Sequence, residues 1–158
     1  MGFADYWEKR IMETMFGILA ATGGLVSAVT TNLWLGLSSA DPLDTGSGVS
    51  EPGPAADGHN VSGTKGYYRI KVGTGGGTSF QTQSATGCTV ENAVELAFPA
   101  ATADWGDMTH FVLFTGTESS TTAGSSVCAS GALTVTPKTV QSGDTAKFAA
   151  QALQICLK

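Results

Sequence analysis

Apolar and polar residues recur at two different periods along the chain. Near the start, Trp7, Ile11, Met15 and Ile18 stand three or four residues apart, with Met12, Phe16 and Leu19 as a neighbouring row. That is the period of a helix with one apolar stripe. Glu8, Lys9, Arg10 and Glu13 take the other face, and Asp5 stands four residues before Lys9, the favourable acid-to-base order. Asp5-Tyr6-Trp7-Glu8 has the form of an N-cap with a reciprocal acid, and Gly17 and Gly23-Gly24 are stop signals. The pattern predicts one amphipathic helix over residues 5–20. Its apolar face is wide for so short a helix, so it should dock on the chain's own sheet or on a neighbouring subunit. Trp7, Ile11, Met15 and Phe16 are therefore candidate interface residues.

From residue 32 onward the period is two. Leu33, Leu35 and Leu37 share one face, with Trp34, a further interface candidate, on the other. Gly66-Tyr67-Tyr68-Arg69-Ile70-Lys71-Val72 alternates so as to place Tyr68, Ile70 and Val72 together. Val94, Leu96 and Phe98 alternate, and Pro99 is expected to end their strand. His110-Phe111-Val112-Leu113-Phe114 reads as a strand buried on both faces. Leu133, Val135 and Val140 follow, broken by Pro137, and Ser142-Gly143-Asp144 is a turn. Phe148, Leu153, Ile155 and Leu157 close the chain. Residues 39–65 carry Pro42, Pro52, Pro54 and many glycines without either period, and so form a long loop. Such a loop in a small domain has a job or wraps over a neighbour. Six or more short strands separated by turn signals predict a mainly β fold. The expected architecture is an antiparallel β-sandwich of jelly-roll type, preceded by the short N-terminal helix. The expected organisation is a helix and linker over 1–24 and a β-sandwich domain over 25–158.

Composition agrees and narrows the function. Gly is 21 of 158 residues, and charged residues are only 13%. Both depart from globular averages in the direction of short strands and small polar turns, away from helical bundles. Eight basic against thirteen acidic residues give a net charge of −5. That balance argues against nucleic acid and against an anionic membrane surface as partners. Residues 14–40 lack charge, yet Gly17, Thr22, Gly23, Gly24, Ser27 and Asn32 interrupt the apolar run, so no membrane insertion is expected. Asp5, Glu8 and Glu13 do not suit the basic start of a signal peptide.

No catalytic signature stands out, so neither a catalytic residue nor a cofactor is expected. Gly73-Thr74-Gly75-Gly76-Gly77-Thr78 lacks the last glycine of a dinucleotide loop and the lysine of a P-loop, and reads as a strand connection. Asp104, Asp107 and His110 match no known ligand spacing, and Asp41 and Asp44 lack the order of a calcium loop, so no metal site is expected. Cys88, Cys128 and Cys156 form no CxxC pair. They read as free thiols, with a Cys88–Cys128 disulfide as the alternative. Trp105, in Asp104-Trp105-Gly106-Asp107, has two readings. It could be a surface aromatic that stacks a sugar, or it could cap the core with its N–H bonded to backbone, which is the commoner arrangement.

Eight blocks of the chain then resemble, in order, a family of small tailed-bacteriophage virion proteins commonly labelled tail fibre proteins. They are Tyr6 to Gly17, Leu33 to Pro42, Gly46 to Pro52 and Gly66-Tyr67-Tyr68-Arg69, then Phe98 to Gly106, Thr109-His110-Phe111, Gly131 to Thr134 and Gly143 to Ala150. The resemblance implies a non-enzymatic structural protein of the virion, located at the tail or the capsid exterior and assembled in the bacterial cytoplasm. It implies other virion proteins as partners, a homotrimer, and a host surface glycan as a further ligand. A tail-fibre or tail-tip role in assembly or host attachment leads. A capsid decoration protein and a stand-alone carbohydrate-binding module are the alternatives.

Overall fold

The computed structural model describes residue 16 and residues 32–52, 65–74, 77–82, 89–115, 127–134 and 138–156. The expected helix over 5–20 lies outside them apart from Phe16. Among the described residues the fold is mainly β and its sheets are antiparallel. In chain order the strands are β1 (Leu33–Ser38), β2 (Ile70–Thr74), β3 (Gly77–Thr78), β4 (Phe80–Thr82), β5 (Thr89–Asn92) and β6 (Leu96–Ala100). They continue with β7 (Gly106–Met108), β8 (His110–Thr115), β9 (Val127–Ala132), β10 (Lys138–Val140), β11 (Thr145–Phe148) and β12 (Gln154–Cys156). The strands fall into two units. One comprises Leu33–Lys71 and Ala97–Lys147; the other comprises Met1–Asn32, Val72–Leu96 and Phe148–Lys158.

In the first unit β1, β8 and β9 are successive neighbours. The β1–β8 register sets Trp34 opposite Phe114 and Gly36 opposite Val112 on one face, and Leu35 opposite Leu113 and Leu37 opposite Phe111 on the other. All six residues of β1 are buried. A strand with apolar positions on both faces can persist only where both faces are covered. Trp34, Val112 and Phe114 form one packed cluster, with Val49 and Val127 against it.

β9 was not legible as a strand, because Val-Cys-Ala-Ser-Gly-Ala carries almost no β-branched or aromatic residue. It pairs with β8 across a bulge at Leu113/Phe114. Gly131 lies directly against Phe111, where a Cβ would come within 2.8 Å of the ring. β7 pairs with β10, and β6 with β11. Pro99 lies inside β6 rather than ending it, which a two-stranded ribbon allows because one edge needs no donor.

The second unit contains the β2–β3 hairpin, with Gly73 opposite Thr78, and the sheet β12-β5-β4. The Gly73–Thr78 run is thus a strand connection. On the three-stranded sheet the buried Glu91 stands directly opposite both Gln81 and Gln154. Gln81 Nε2 donates to Glu91 Oε1 at 3.0 Å. The fully buried Asn92 closes the chain end: its amide donates to the Val94 and Ala149 carbonyls, and its Oδ1 accepts the Leu153 N–H. Buried polar side chains satisfied in this way fix register at little net cost. Val94 itself is exposed, so the expected Val94/Leu96/Phe98 face begins only at Leu96.

Candidate functional site

The first unit brings three of the sequence blocks singled out above onto one buried polar cluster. β1 supplies Gly36 and Leu37, the loop after it supplies Glu51, and the segment leading into β2 supplies Tyr67 and Arg69. Arg69 Nε lies 3.0 Å and 3.1 Å from the two Glu51 carboxylate oxygens, and Nη2 lies 2.6 Å from Oε2. The Arg69 guanidinium carbon is 3.5 Å from the Phe114 ring centroid, a cation–π stack. Tyr67 Oη donates to Glu51 Oε1 at 2.7 Å and accepts the Leu37 N–H at 2.9 Å. The phenol is held neutral: burial raises its pKa well above 10.0, and the Glu51 charge adds to the effect.

This arrangement corrects the expected face of the segment 66–72. Alternation placed Tyr68, Ile70 and Val72 together on one face. Val72 of that face is buried, but Tyr68 is exposed, and Tyr67 and Arg69 of the opposite face are buried. The acid–base pair decides the matter, because each charge can be buried only where the other compensates it. Gly36 makes the space. A Cβ there would meet Glu51 Oε1 at 2.7 Å, Phe114 Cε2 at 2.9 Å and Tyr67 Oη at 3.0 Å.

The cluster ties down the described part of the long loop, residues 39–52. Ser39 N donates to the Ser50 carbonyl at 2.9 Å, and Ser50 N donates to Ser38 Oγ at 2.9 Å, closing the loop at its base. Inside it, Gly48 N donates to the Pro42 carbonyl, Gly46 N to the Leu43 carbonyl and Leu43 N to Asp41 Oδ1. Leu43 takes φ of +59° and is 54% exposed. The left-handed region costs a non-glycine residue about 1–2 kcal/mol.

Trp105 belongs to the same packing. It is buried, edge-on to Tyr67 at 5.2 Å and to Phe98 at 6.3 Å, and its indole N–H donates to the Lys65 carbonyl at 2.8 Å. The surface-aromatic reading is therefore corrected: the ring caps a core and presents no face for a sugar. Trp34 is likewise buried, in the cluster with Val112 and Phe114. Phe16 is buried edge-on to Phe80, 4.8 Å between ring centres. Trp7, Ile11 and Met15 lie outside the described residues. Asp104, Asp107 and His110 do not converge. Asp104 Oδ1 accepts the Ser142 N–H, Asp107 Oδ1 accepts the Thr139 hydroxyl, and His110 Nδ1 lies 2.8 Å from Thr109 Oγ1. Cys128 is a free thiol, and Cys88, its expected alternative partner, lies outside the described residues. Among the described residues no helix is long and apolar enough to cross a membrane.

Within the sequence blocks Leu33, Leu35, Leu37, Tyr67, Arg69, Phe98 and Trp105 are buried, whereas Gly143–Ala150 holds no buried residue. A family model described as podophage GP4 fiber I protein gp80 matches residues 2–156. The chain belongs to this family. It is accordingly a podophage fibre-type structural protein of the virion, associated with other virion proteins. Searches of curated proteins and of solved structures gave no match. The Glu51–Arg69 pair was missed in the sequence, although its signal was present: an acid stands in a family block inside the long loop and a base in the block that follows it.

Proposed function

We propose that the chain is a non-enzymatic fibre subunit at the tail of the particle, acting through assembly with other virion proteins in host attachment. The observation that carries this reading is the family match over residues 2–156. The structure supports it chemically. In the described part of the first unit, the buried Glu51, Arg69 and Tyr67 side chains are engaged with one another, an arrangement suited to rigidity and not to turnover of a solute. A homotrimer is part of the reading, as is assembly in the bacterial cytoplasm. Light scattering at micromolar concentration should give three times the chain mass; a monomer would remove the trimer.

The experiment is antibody-gold labelling of intact virions viewed by negative-stain microscopy. Gold at the tail is expected. Gold spread over the head would make the chain a capsid decoration protein, and unlabelled virions would overturn the structural reading.

A further inference from the structure

We propose that Leu43 is a contact point through which this chain seats on a different virion protein, inserting its side chain into an apolar socket rimmed by Lys or Arg; this rests on the fibre-subunit reading. A single exposed leucine is ordinary on a protein surface. Leu43 differs because it combines 54% exposure with φ of +59° in a loop that is otherwise tightly bonded. The turn explains the backbone and not the side chain. Its bonds, Leu43 N to Asp41 Oδ1 and Gly46 N to the Leu43 carbonyl, use backbone atoms of residue 43 alone. Glycine or asparagine would make the same turn with less strain. What leucine adds is an aliphatic group that rests on Gly48 of the same rigid loop, where a Cβ would meet Leu43 Cγ at 3.1 Å, and still leaves residue 43 54% exposed. Gln151, the other described non-glycine residue with positive φ, is polar and donates its N–H to the Asn92 carbonyl, so it poses no such question.

Rigidity lowers the entropic cost of docking such a group. Between the base bonds at Ser39/Ser50 and the internal bond from Gly48 N to the Pro42 carbonyl, the loop is already ordered. The flanking charges select the partner. Asp41 and Asp44 are both exposed beside Leu43, which suits a cationic rim and penalises an acidic one. This chain carries eight basic residues against thirteen acidic ones, so the complementary socket is better supplied by another protein than by a second copy.

The test uses phage encoding Leu43→Asn in this chain, with Asp44→Lys as a second variant and Val94→Asn as an equally exposed control. Chain per virion is measured by quantitative immunoblot against the major capsid protein, and melting temperature is measured on the purified chain. Leu43→Asn should melt at the parent temperature or above while its incorporation falls at least tenfold. Asp44→Lys should also lower incorporation, and Val94→Asn should not. Parental chain missing from virions would overturn the fibre reading and this proposal together. Leu43→Asn incorporated like the parent would overturn this proposal alone. So would a lowered melting temperature, which would make Leu43 structural, or dissociation of a purified oligomer by Leu43→Asn, which would make the partner a second copy.

Discussion

Arg69 and Glu51 form a bidentate ion pair in a place where both side chains are almost fully withdrawn from water, 5% and 7% exposed. Neither charge could be there alone. The pair ties Glu51, inside the connection between β1 and β2, to the residue just before β2, so it fixes where the chain re-enters the sheet. Tyr67 and Phe114 complete its surroundings, one as a hydrogen-bond donor and the other as a ring beneath the guanidinium.

Removing one partner should therefore cost more than removing both. Glu51→Gln or Arg69→Met strands a buried charge or its donors, at about 3–5 kcal/mol. The double variant Glu51→Leu/Arg69→Met removes both charges and should cost less than the sum of the single variants by more than about 1 kcal/mol. Urea unfolding of the four proteins of the Glu51→Leu and Arg69→Met cycle measures this coupling. Additive losses would show that the two residues act independently.

β1 and β8 were legible in the sequence because nearly every position in them is apolar, which leaves one structural solution. β9 was not, since its place depends on Gly131 lying against Phe111, a relationship that no local period encodes. The inward turn of Arg69 was hidden for a similar reason. A period-two reading assigns charge to solvent, and the compensating carboxylate lies eighteen residues earlier. Trp105 had two consistent readings until a carbonyl forty residues away decided between them. Candidate contacts in a protein recognised by its packing are legible mainly as exceptions, such as an exposed leucine in a left-handed turn.

Two glycines should fail for different reasons when replaced. Gly36→Ala places a methyl group against Glu51, Phe114 and Tyr67 at once, and overpacking of this kind costs about 1–3 kcal/mol. Gly106 has φ of +86° and open space where a Cβ would stand, so Gly106→Ala suffers only backbone strain, about 1–2 kcal/mol. Gly106→Asn should recover part of that loss, because asparagine tolerates the left-handed region, whereas Gly36→Asn should be worse than Gly36→Ala. Denaturation midpoints of the four variants separate the two mechanisms.

The described cysteines should differ in reactivity. Burial pushes the Cys128 thiol up to about 11, so almost no thiolate exists at neutral pH. Cys156 is exposed in β12. Brief labelling with a maleimide at pH 8, mapped by peptide mass spectrometry, should modify Cys156 at least tenfold faster than Cys128. Denaturant should abolish the difference; comparable rates in the folded chain would place Cys128 at the surface.

Tyr67 should make stability fall in alkali. Its phenol is neutral in the folded state, and its folded pKa lies above the ordinary 10.0. Below pH 10 both states keep the proton and the contribution is complete. As pH rises past that value the unfolded chain ionises first, unfolding releases a proton, and stability is lost at up to about 1.4 kcal/mol per pH unit. Cys128 acts in the same sense from 9.0 to about 11, so the parent protein alone does not isolate the tyrosine. Tyr67→Phe does. At pH 7 it leaves the Leu37 N–H without its acceptor and should cost about 1–3 kcal/mol. Above pH 10 the variant lacks the Tyr67 contribution and keeps that of Cys128, so the gap between variant and parent should narrow. Urea midpoints of both proteins from pH 7 to 11 test this. A gap constant across that range would mean that the Tyr67 phenol ionises as readily in the folded chain as in the unfolded one.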